Sequence, residues 1–191
     1  ILIDLRPSLE KILLTFSETT RRNIRKAEKK LNITTFVLSA IADEDFEQHI
    51  ELFYSLYKET GRIRKFYVPS YEETRAKIMA FRETSLLLFA YEKDSSLSLR
   101  MTGASKKPIA ALWVGSVDTT LIYFHPGNTA SGYRLLANYL LVWEAMKWGK
   151  KKGMKVFDFE TAYDKRYPRE NKQWLGYTAF KQRFGGELVE Y

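Results

Sequence analysis

The sequence predicts an α/β (α+β) domain in which helices cover both faces of a mixed sheet. Three observations carry the prediction. Apolar residues recur at helical spacing through most of the first 82 positions. Three β-rich runs then follow one another with turn residues between them. Finally, a helical stripe, a short apolar run, a second helical stripe and a last short run alternate to the end. No Gly-x-Gly-x-x-Gly follows a strand, which argues against a continuous parallel dinucleotide-binding pattern.

In chain order, residues 1–5 read as a short strand. Pro7-Ser8 introduces a helical pattern of Leu9, Ile12, Leu13 and Phe16. Ser17 is a good N-cap for a second helix to about Leu31. In that helix Ile24, Ala27 and Leu31 share a face, and Arg21, Arg22, Arg25, Lys26, Lys29 and Lys30 cover the rest. Residues 33–38 are β-rich. Asp43 then caps a helix with Phe46, Ile50, Phe53 and Tyr57 at helical spacing. Gly61 ends it and leaves residues 61–66 as a basic, aromatic loop, before a further helix over 71–82.

Residues 86–91, 109–117 and 120–124 are the three strands of the meander, and 93–107 read as an exposed loop or hairpin. His125-Pro126-Gly127-Asn128 is a turn cluster. Ser131 opens one long helix with a stripe of Leu135, Tyr139, Val142 and Met146, and Gly153 follows its basic last turn. Residues 156–159 form a short buried strand and 161–172 a polar loop. A last helix over 173–184 is stopped by Gly185-Gly186 before a strand over 187–191.

Composition narrows the function. The chain carries 31 Lys+Arg against 23 Asp+Glu, a formal net charge of +8. An anionic partner is therefore expected: nucleic acid, a phosphorylated metabolite or an acidic membrane surface. Without Cys there is no disulfide framework, thiol nucleophile or Cys-based zinc site. With only His49 and His125, a His-rich metal centre is excluded and a Ser-His-Asp triad has few ways to form. No apolar run reaches the roughly 20 residues that span a bilayer. The start, Ile1-Leu2-Ile3-Asp4-Leu5, has no signal-peptide pattern and reads as a cut into a longer chain. A cytoplasmic location is expected, with no cofactor and no metal.

Two segments point further. The first is Thr20-Arg21-Arg22-Asn23-Ile24-Arg25-Lys26-Ala27-Glu28-Lys29. The second set runs from Trp143 to Gly153, through Val156-Phe157-Asp158-Phe159-Glu160, to Gly176-Tyr177-Thr178-Ala179-Phe180-Lys181-Gln182-Arg183-Phe184-Gly185-Gly186. In this order the chain resembles the FemABX family of peptidoglycan-bridge aminoacyltransferases. The resemblance implies that residues 1–191 are a single GNAT-like (acyl-CoA N-acyltransferase-like) domain, the second of two in a longer protein. It also implies transfer of an aminoacyl group from aminoacyl-tRNA to an amine on the stem peptide of a peptidoglycan precursor. That acceptor is nucleotide- or lipid-linked, with peripheral contact to the inner membrane face and a second domain of the same chain as further partners. One departure matters: the family often shows Asp-Phe-Gly-Gly where this chain has Asp158-Phe159-Glu160-Thr161.

Transfer from an activated ester needs proximity, a proton acceptor and stabilisation of an oxyanion, but no covalent nucleophile. Lys181 falls on the family's Phe-Lys position, where the resemblance implies contact with the carbonyl or terminal phosphate of the donor. Read without the resemblance, it is a solvated helix lysine. Asp158, at the end of a buried strand, orients the incoming ammonium or takes its proton, with Glu160 as the competing candidate. Phe180 and Tyr177 either stack on the donor's terminal adenine or pack in the core. Tyr123 either lines the acceptor pocket or is a buried strand tyrosine. Arg62 and Arg64, on the loop after a helix, are candidates for a phosphorylated precursor, and the register leaves the choice open. Arg21 and Arg25 lie on a cationic helix face that suits a phosphate backbone or is simply solvated. Lys147, Lys150, Lys151, Lys152 and Lys155 offset a helix dipole.

Two other readings compete. An acyl-CoA-dependent N-acetyltransferase usually grips pyrophosphate with a glycine-rich turn before its long helix. Here residues 128–134 (Asn-Thr-Ala-Ser-Gly-Tyr-Arg) have a single glycine and lack that spacing. The third reading is a non-catalytic tRNA- or precursor-binding half-domain.

Overall fold

The structure is a computed structural model that describes residues 1–93, 107–166 and 174–189. Serines set the early helix starts, because a hydroxyl acceptor satisfies an amide that has no partner within the first turn. Ser8 caps α1 (Leu9–Thr15), and Ser17 accepts the Thr20 amide at 3.2 Å to begin α2 (Glu18–Lys30). Ser70 and Glu73 form a reciprocal capping box at α4 (Tyr71–Ala80). β1 (Leu2–Asp4) precedes them, and β2 (Leu31–Val37) and α3 (Asp43–Arg64) lie between α2 and α4. The second half comprises β3 (Ser85–Glu92), β4 (Ala110–Val117), β5 (Thr120–Asn128), α5 (Ala130–Arg134), α6 (Ala137–Lys151), β6 (Val156–Asp158) and α7 (Leu175–Gln182).

The described strands form one mixed sheet in the order β1-β6-β5-β4-β3-β2. The β5–β6 pair is parallel and every other pair is antiparallel. The central strands read as unbroken apolar runs because both of their faces are covered. Leu86, Leu88 and Ala90 of β3, with Ala110, Leu112 and Val114 of β4, point into the layer under α1, α2 and α6. Their alternates Leu87, Phe89, Ala111 and Trp113 point into the layer under α3 and α4. The predicted sandwich of helices on both faces is thus observed.

The structure departs from the sequence expectations in five places. Helix α3 does not stop at Gly61; it runs to Arg64 and ends on Lys65, which is left-handed with φ 57°. Gly61 serves packing instead, because Val68 and the Phe66 carbonyl fold back into the space a side chain would need. Its N-cap is Ala42, with Asp43 in the first turn beside Glu44 and Asp45, where carboxylates favour the positive end of the helix. Strand β5 continues through His125-Pro126-Gly127-Asn128 rather than turning there. Proline is tolerated because β6 has already left that side of β5, and Gly127 is required because a Cβ would lie 2.7 Å from Leu56 Cβ. The helix expected from Ser131 breaks into α5 and α6 at Leu136, which has φ 64°, with no glycine or proline to mark the break.

Finally, the strand expected over 187–191 reduces to a single antiparallel bridge, Leu2 with Glu187, and residues 190–191 lie outside the described set. The polar segment expected at 93–107 falls almost wholly outside it as well, as does the second half of the one expected at 161–172. Gly185 and Gly186 do stop the last helix, with φ of 74° and 87°.

Candidate active site

The site originates in the way two parallel strands part. β6 pairs with β5 only from Thr120 to Ile122, after which β5 runs on to Asn128 against β4 alone. At the parting point β5 carries one extra residue: Val114 faces Tyr123 and Trp113 faces His125, so Phe124 bulges out. A bulge of this kind bends its strand and sharpens the twist. The wedge that opens beyond the ends of β5 and β6, closed by α7, is the place where open α/β sheets present ligand sites. It holds two neighbouring lobes of about 440 and 490 Å³, which share Arg64, Tyr123, Pro126 and Tyr177.

Lys181 lies at the base of the first lobe. It is the one fully buried cation among the described residues, with 5% of its surface exposed. Its ammonium donates to the Phe159 carbonyl at 2.5 Å and the Thr161 carbonyl at 2.6 Å, and sits 5.8 Å from the centroid of the Tyr123 ring. Burial pulls its pKa down to about 8, against the opposing pull of Glu160 and Asp158. A cation held by neutral carbonyls rather than by a directly bonded carboxylate keeps much of its field for a ligand. The solvated-lysine reading is therefore not what the fold gives.

Glu160 carries a backbone cost: its φ is 58°, the left-handed region that glycine adopts freely, at a position where the resemblance implies a glycine. Asp158 holds this turn, accepting the Glu160 amide at 2.7 Å, and its side chain lines an adjacent pocket rather than the two lobes. Glu160 lines the first lobe; the residue is exposed at the cleft mouth, yet desolvation on its inner side raises its carboxyl above the ordinary range, while Lys77 and Lys181 pull the other way. Of the two carboxylate candidates, Glu160 meets the cleft and Asp158 shapes it. Glu160→Gly is expected to stabilise the fold by about 1 kcal/mol by removing the left-handed strain. Glu160→Gln keeps that strain, so a melting comparison of the two variants separates backbone from carboxylate effects.

The aromatic candidates converge on the cleft. Tyr123 is buried and its hydroxyl is pushed well above the ordinary value by desolvation. Tyr177 lies between the lobes, half-buried, with burial raising it to about 12. Phe180 lines the second lobe and packs edge-on against Tyr139 at 5.2 Å. Tyr177 and Phe180 thus both pack against neighbouring rings and line the cavity.

The arginines separate. Arg64 lines both lobes and stacks 4.3 Å above Tyr133, whereas Arg62 is exposed and paired with Glu59 at 2.6 Å. Both sit in the last turn of α3, not on a loop as the sequence had suggested. Arg21 and Arg25 line neither lobe. Arg21 donates to the Phe16 carbonyl at 2.5 Å and the Leu14 carbonyl at 3.2 Å, closing the end of α1, and Arg25 is exposed on α2. Arg21→Ala should therefore cost about 1 kcal/mol, whereas Arg25→Ala should leave thermal stability unchanged to within about 0.5 kcal/mol.

Several cleft residues were not singled out in the sequence. Arg183 donates to the Tyr139 hydroxyl at 3.5 Å and lines the second lobe with Tyr133 and Asn138. It lies within the quoted Phe-Lys-Gln-Arg-Phe segment, one turn from Phe180, which was an available signal. His125 lines the first lobe rather than a turn; it stacks on Tyr57 at 4.9 Å, and burial lowers its pKa to about 4, so it is neutral at physiological pH. No group of His, Asp and Glu among the described residues is arranged to hold a metal ion. No helix among them is long and apolar enough to cross a membrane.

The cleft thus joins a buried cation to a wall of aromatic rings at the point where two parallel strands part. The profile of the acetyltransferase (GNAT) domain matches residues 16–169, and the chain belongs to that family. Its six-stranded mixed sheet shares the fold of FemX, with a TM-score of 0.78, 13% identity and coverage of 96% of this chain and 57% of FemX. By fold it is a FemABX-like GNAT domain. The C-terminal domain (DUF2156) of a protein described as a lysylphosphatidylglycerol synthetase, from Agrobacterium fabrum, aligns with a TM-score of 0.60 and 14% identity over 97% of this chain and 55% of that one. The aminoglycoside N-acetyltransferase AAC(6')-Iy, in complex with CoA, aligns with a TM-score of 0.52 and 13% identity over 84% of this chain and 90% of that one. No curated protein shows significant sequence similarity to the chain. The chain thus spans little more than half of FemX, and its fold class is that of an acyltransferase.

Proposed function

We propose that this acyltransferase domain moves an aminoacyl group from aminoacyl-tRNA to an amine on the stem peptide of a peptidoglycan precursor. The observation that carries the reading is the buried Lys181 ammonium in the wedge, held by the Phe159 and Thr161 carbonyls. In aminoacyl transfer the acceptor nitrogen attacks the ester carbonyl carbon and negative charge gathers on the carbonyl oxygen. The Lys181 ammonium faces that charge, and one preorganised donor of this kind is worth roughly 10²–10³-fold in rate. The acceptor must first lose a proton from its ammonium, and Glu160, with its raised pKa, is the acceptor in the same lobe. Collapse then breaks the bond from the carbonyl carbon to the ribose oxygen, which takes up a proton as it leaves. Arg64 and the rings of Tyr177 and Phe180 suit a nucleotide terminus, one by charge and the others by stacking.

The FemX fold supports this reading, and the positive net charge of the chain agrees with an anionic donor. The acyl-CoA reading has the family name and the CoA-bound neighbour in its favour. Against it stands the turn after β5. There the Gly132 amide is already engaged by Thr129 Oγ1 at 3.1 Å, and α5 is a five-residue helix broken at Leu136. That turn does not offer the free run of amides a pyrophosphate requires.

The test is transfer of labelled amino acid from tRNA to stem peptides whose side-chain amine is free or acetylated. Label is expected only on the free amine. Because the charged Lys181 and the ionised Glu160 are both needed, the rate should fall on both sides of neutrality, with the alkaline limb near pH 8. In Lys181→Arg, whose guanidinium does not titrate there, the alkaline limb should vanish from the pH–rate profile.

A further inference from the structure

Outside the cleft, the largest block of unmatched charge among the described residues lies on α2. The helix bears six cations against Glu18 and Glu28. Its apolar residues Ile24 and Ala27 are buried in the layer beneath, and Arg21 is consumed by the end of α1. The remaining five, Arg22, Arg25, Lys26, Lys29 and Lys30, are all exposed, and among the described residues none forms an ion pair. Lys93 joins them: its amide donates to the Lys30 carbonyl at 2.7 Å and its ammonium to the Glu28 carbonyl at 2.5 Å, so β3 delivers a sixth cation to the same end of α2.

This face is connected to the cleft. The Ser17 amide, at the start of α2, donates to the Arg183 carbonyl at 2.8 Å, and Arg183 lines the second lobe. The start of α2 therefore lies beside a residue of that lobe, which also holds Arg64. Positions 22, 26 and 30, and 25 and 29, form adjacent rows one helical turn apart, a spacing suited to successive charges along a strand.

We infer that the exposed face of α2, with Lys93, docks the sugar–phosphate backbone of an RNA whose end enters the second lobe. The inference rests on the reading of the cleft as an aminoacyl-tRNA site and adds the surface that holds the body of that RNA. An anionic membrane is the weaker occupant. Surface-bound helices bury an apolar face in the lipid, and the apolar face of α2 is already in the core. No exposed large apolar side chain lies on α2; Leu14 of α1 is the one such neighbour in the preceding helix.

The experiment compares the wild-type protein with the triple variant Arg25→Gln, Lys26→Gln, Lys29→Gln, whose sites are exposed and whose substitutions suit a helix. Binding of deacylated tRNA is followed against salt concentration. The variant is expected to bind about 10–100-fold more weakly, with the slope of log K against log salt reduced by up to about 3. Transfer from a short aminoacylated 3′-terminal fragment should be unchanged. Wild-type affinity and slope in the variant would overturn the inference. So would selective loss of binding to phosphatidylglycerol vesicles with tRNA binding intact. A wild-type protein that binds tRNA through this face but transfers only from acetyl-CoA would sink the donor reading and leave the docking surface standing.

Discussion

Replacing Lys181 with methionine is expected to lower the transfer rate by about 10²–10³-fold while changing thermal stability little at pH 7. The two halves of this expectation have one cause. A displacement of the ammonium from 10.5 to about 8 corresponds to ~3 kcal/mol of unfavourable burial at neutral pH. Methionine removes that term but leaves the Phe159 and Thr161 carbonyls without their donor, a loss of about 1–3 kcal/mol. The contributions nearly cancel. Linkage sharpens the comparison. The folded value lies below the unfolded one, so the folded chain holds fewer protons between pH about 8 and 10.5. Stability therefore rises with pH across that window in the wild type, and the rise should be absent from the variant. A purely structural lysine would show the reverse pattern, with stability lost and rate following it.

The largest stability effect is expected at Trp113. It is fully buried and packs on Phe124 at 4.4 Å, His125 at 5.7 Å, Phe81 at 6.3 Å and Phe53 at 6.4 Å. Trp113→Ala should cost about 3–5 kcal/mol, because the surrounding rings collapse only partly into the space left behind. For a chain of this size that lowers the melting temperature by on the order of 10 °C. The position matters beyond its volume. Trp113 sits opposite the bulge of β5, so its loss also loosens the wall that carries His125 and Tyr123. Met79→Ala, at an exposed site, is the contrasting change and should shift the melting temperature hardly at all.

Much of the fold was legible because its signals are local. Ser8, Ser17 and Ser70 cap helices through contacts three residues away, and the short apolar, β-rich runs at 85–92 and 110–117, set off by turn residues, identify strands without reference to partners. What could not be read depended on contacts distant in sequence. Gly61 resembles a helix stop until Val68 is seen to fold onto it. His125-Pro126-Gly127-Asn128 has the composition of a turn, yet becomes strand because α3 presses on Gly127 and β6 leaves the opposite edge free. The break at Leu136 has no composition signal at all.

The same division holds in the cleft. Lys181, Tyr177 and Phe180 were accessible through their resemblance to a family pattern. The choice of Arg64 over Arg62 required the helix to continue past Gly61, since one more turn points Arg64 at Tyr133 and Arg62 at Glu59. The glycine replaced by Glu160 also acquires a meaning only in three dimensions. The backbone still adopts the glycine conformation, and the added carboxylate is delivered into the lobe that holds Lys181.

The direct measurement is a competition between donors. The protein is supplied with equal amounts of labelled aminoacyl-tRNA and differently labelled acetyl-CoA, together with a stem-peptide acceptor bearing a free amine. Label from the tRNA should appear on the acceptor, should depend on Lys181, and should exceed any acetyl label. Acetyl label alone on the acceptor would contradict the aminoacyl reading of this cleft.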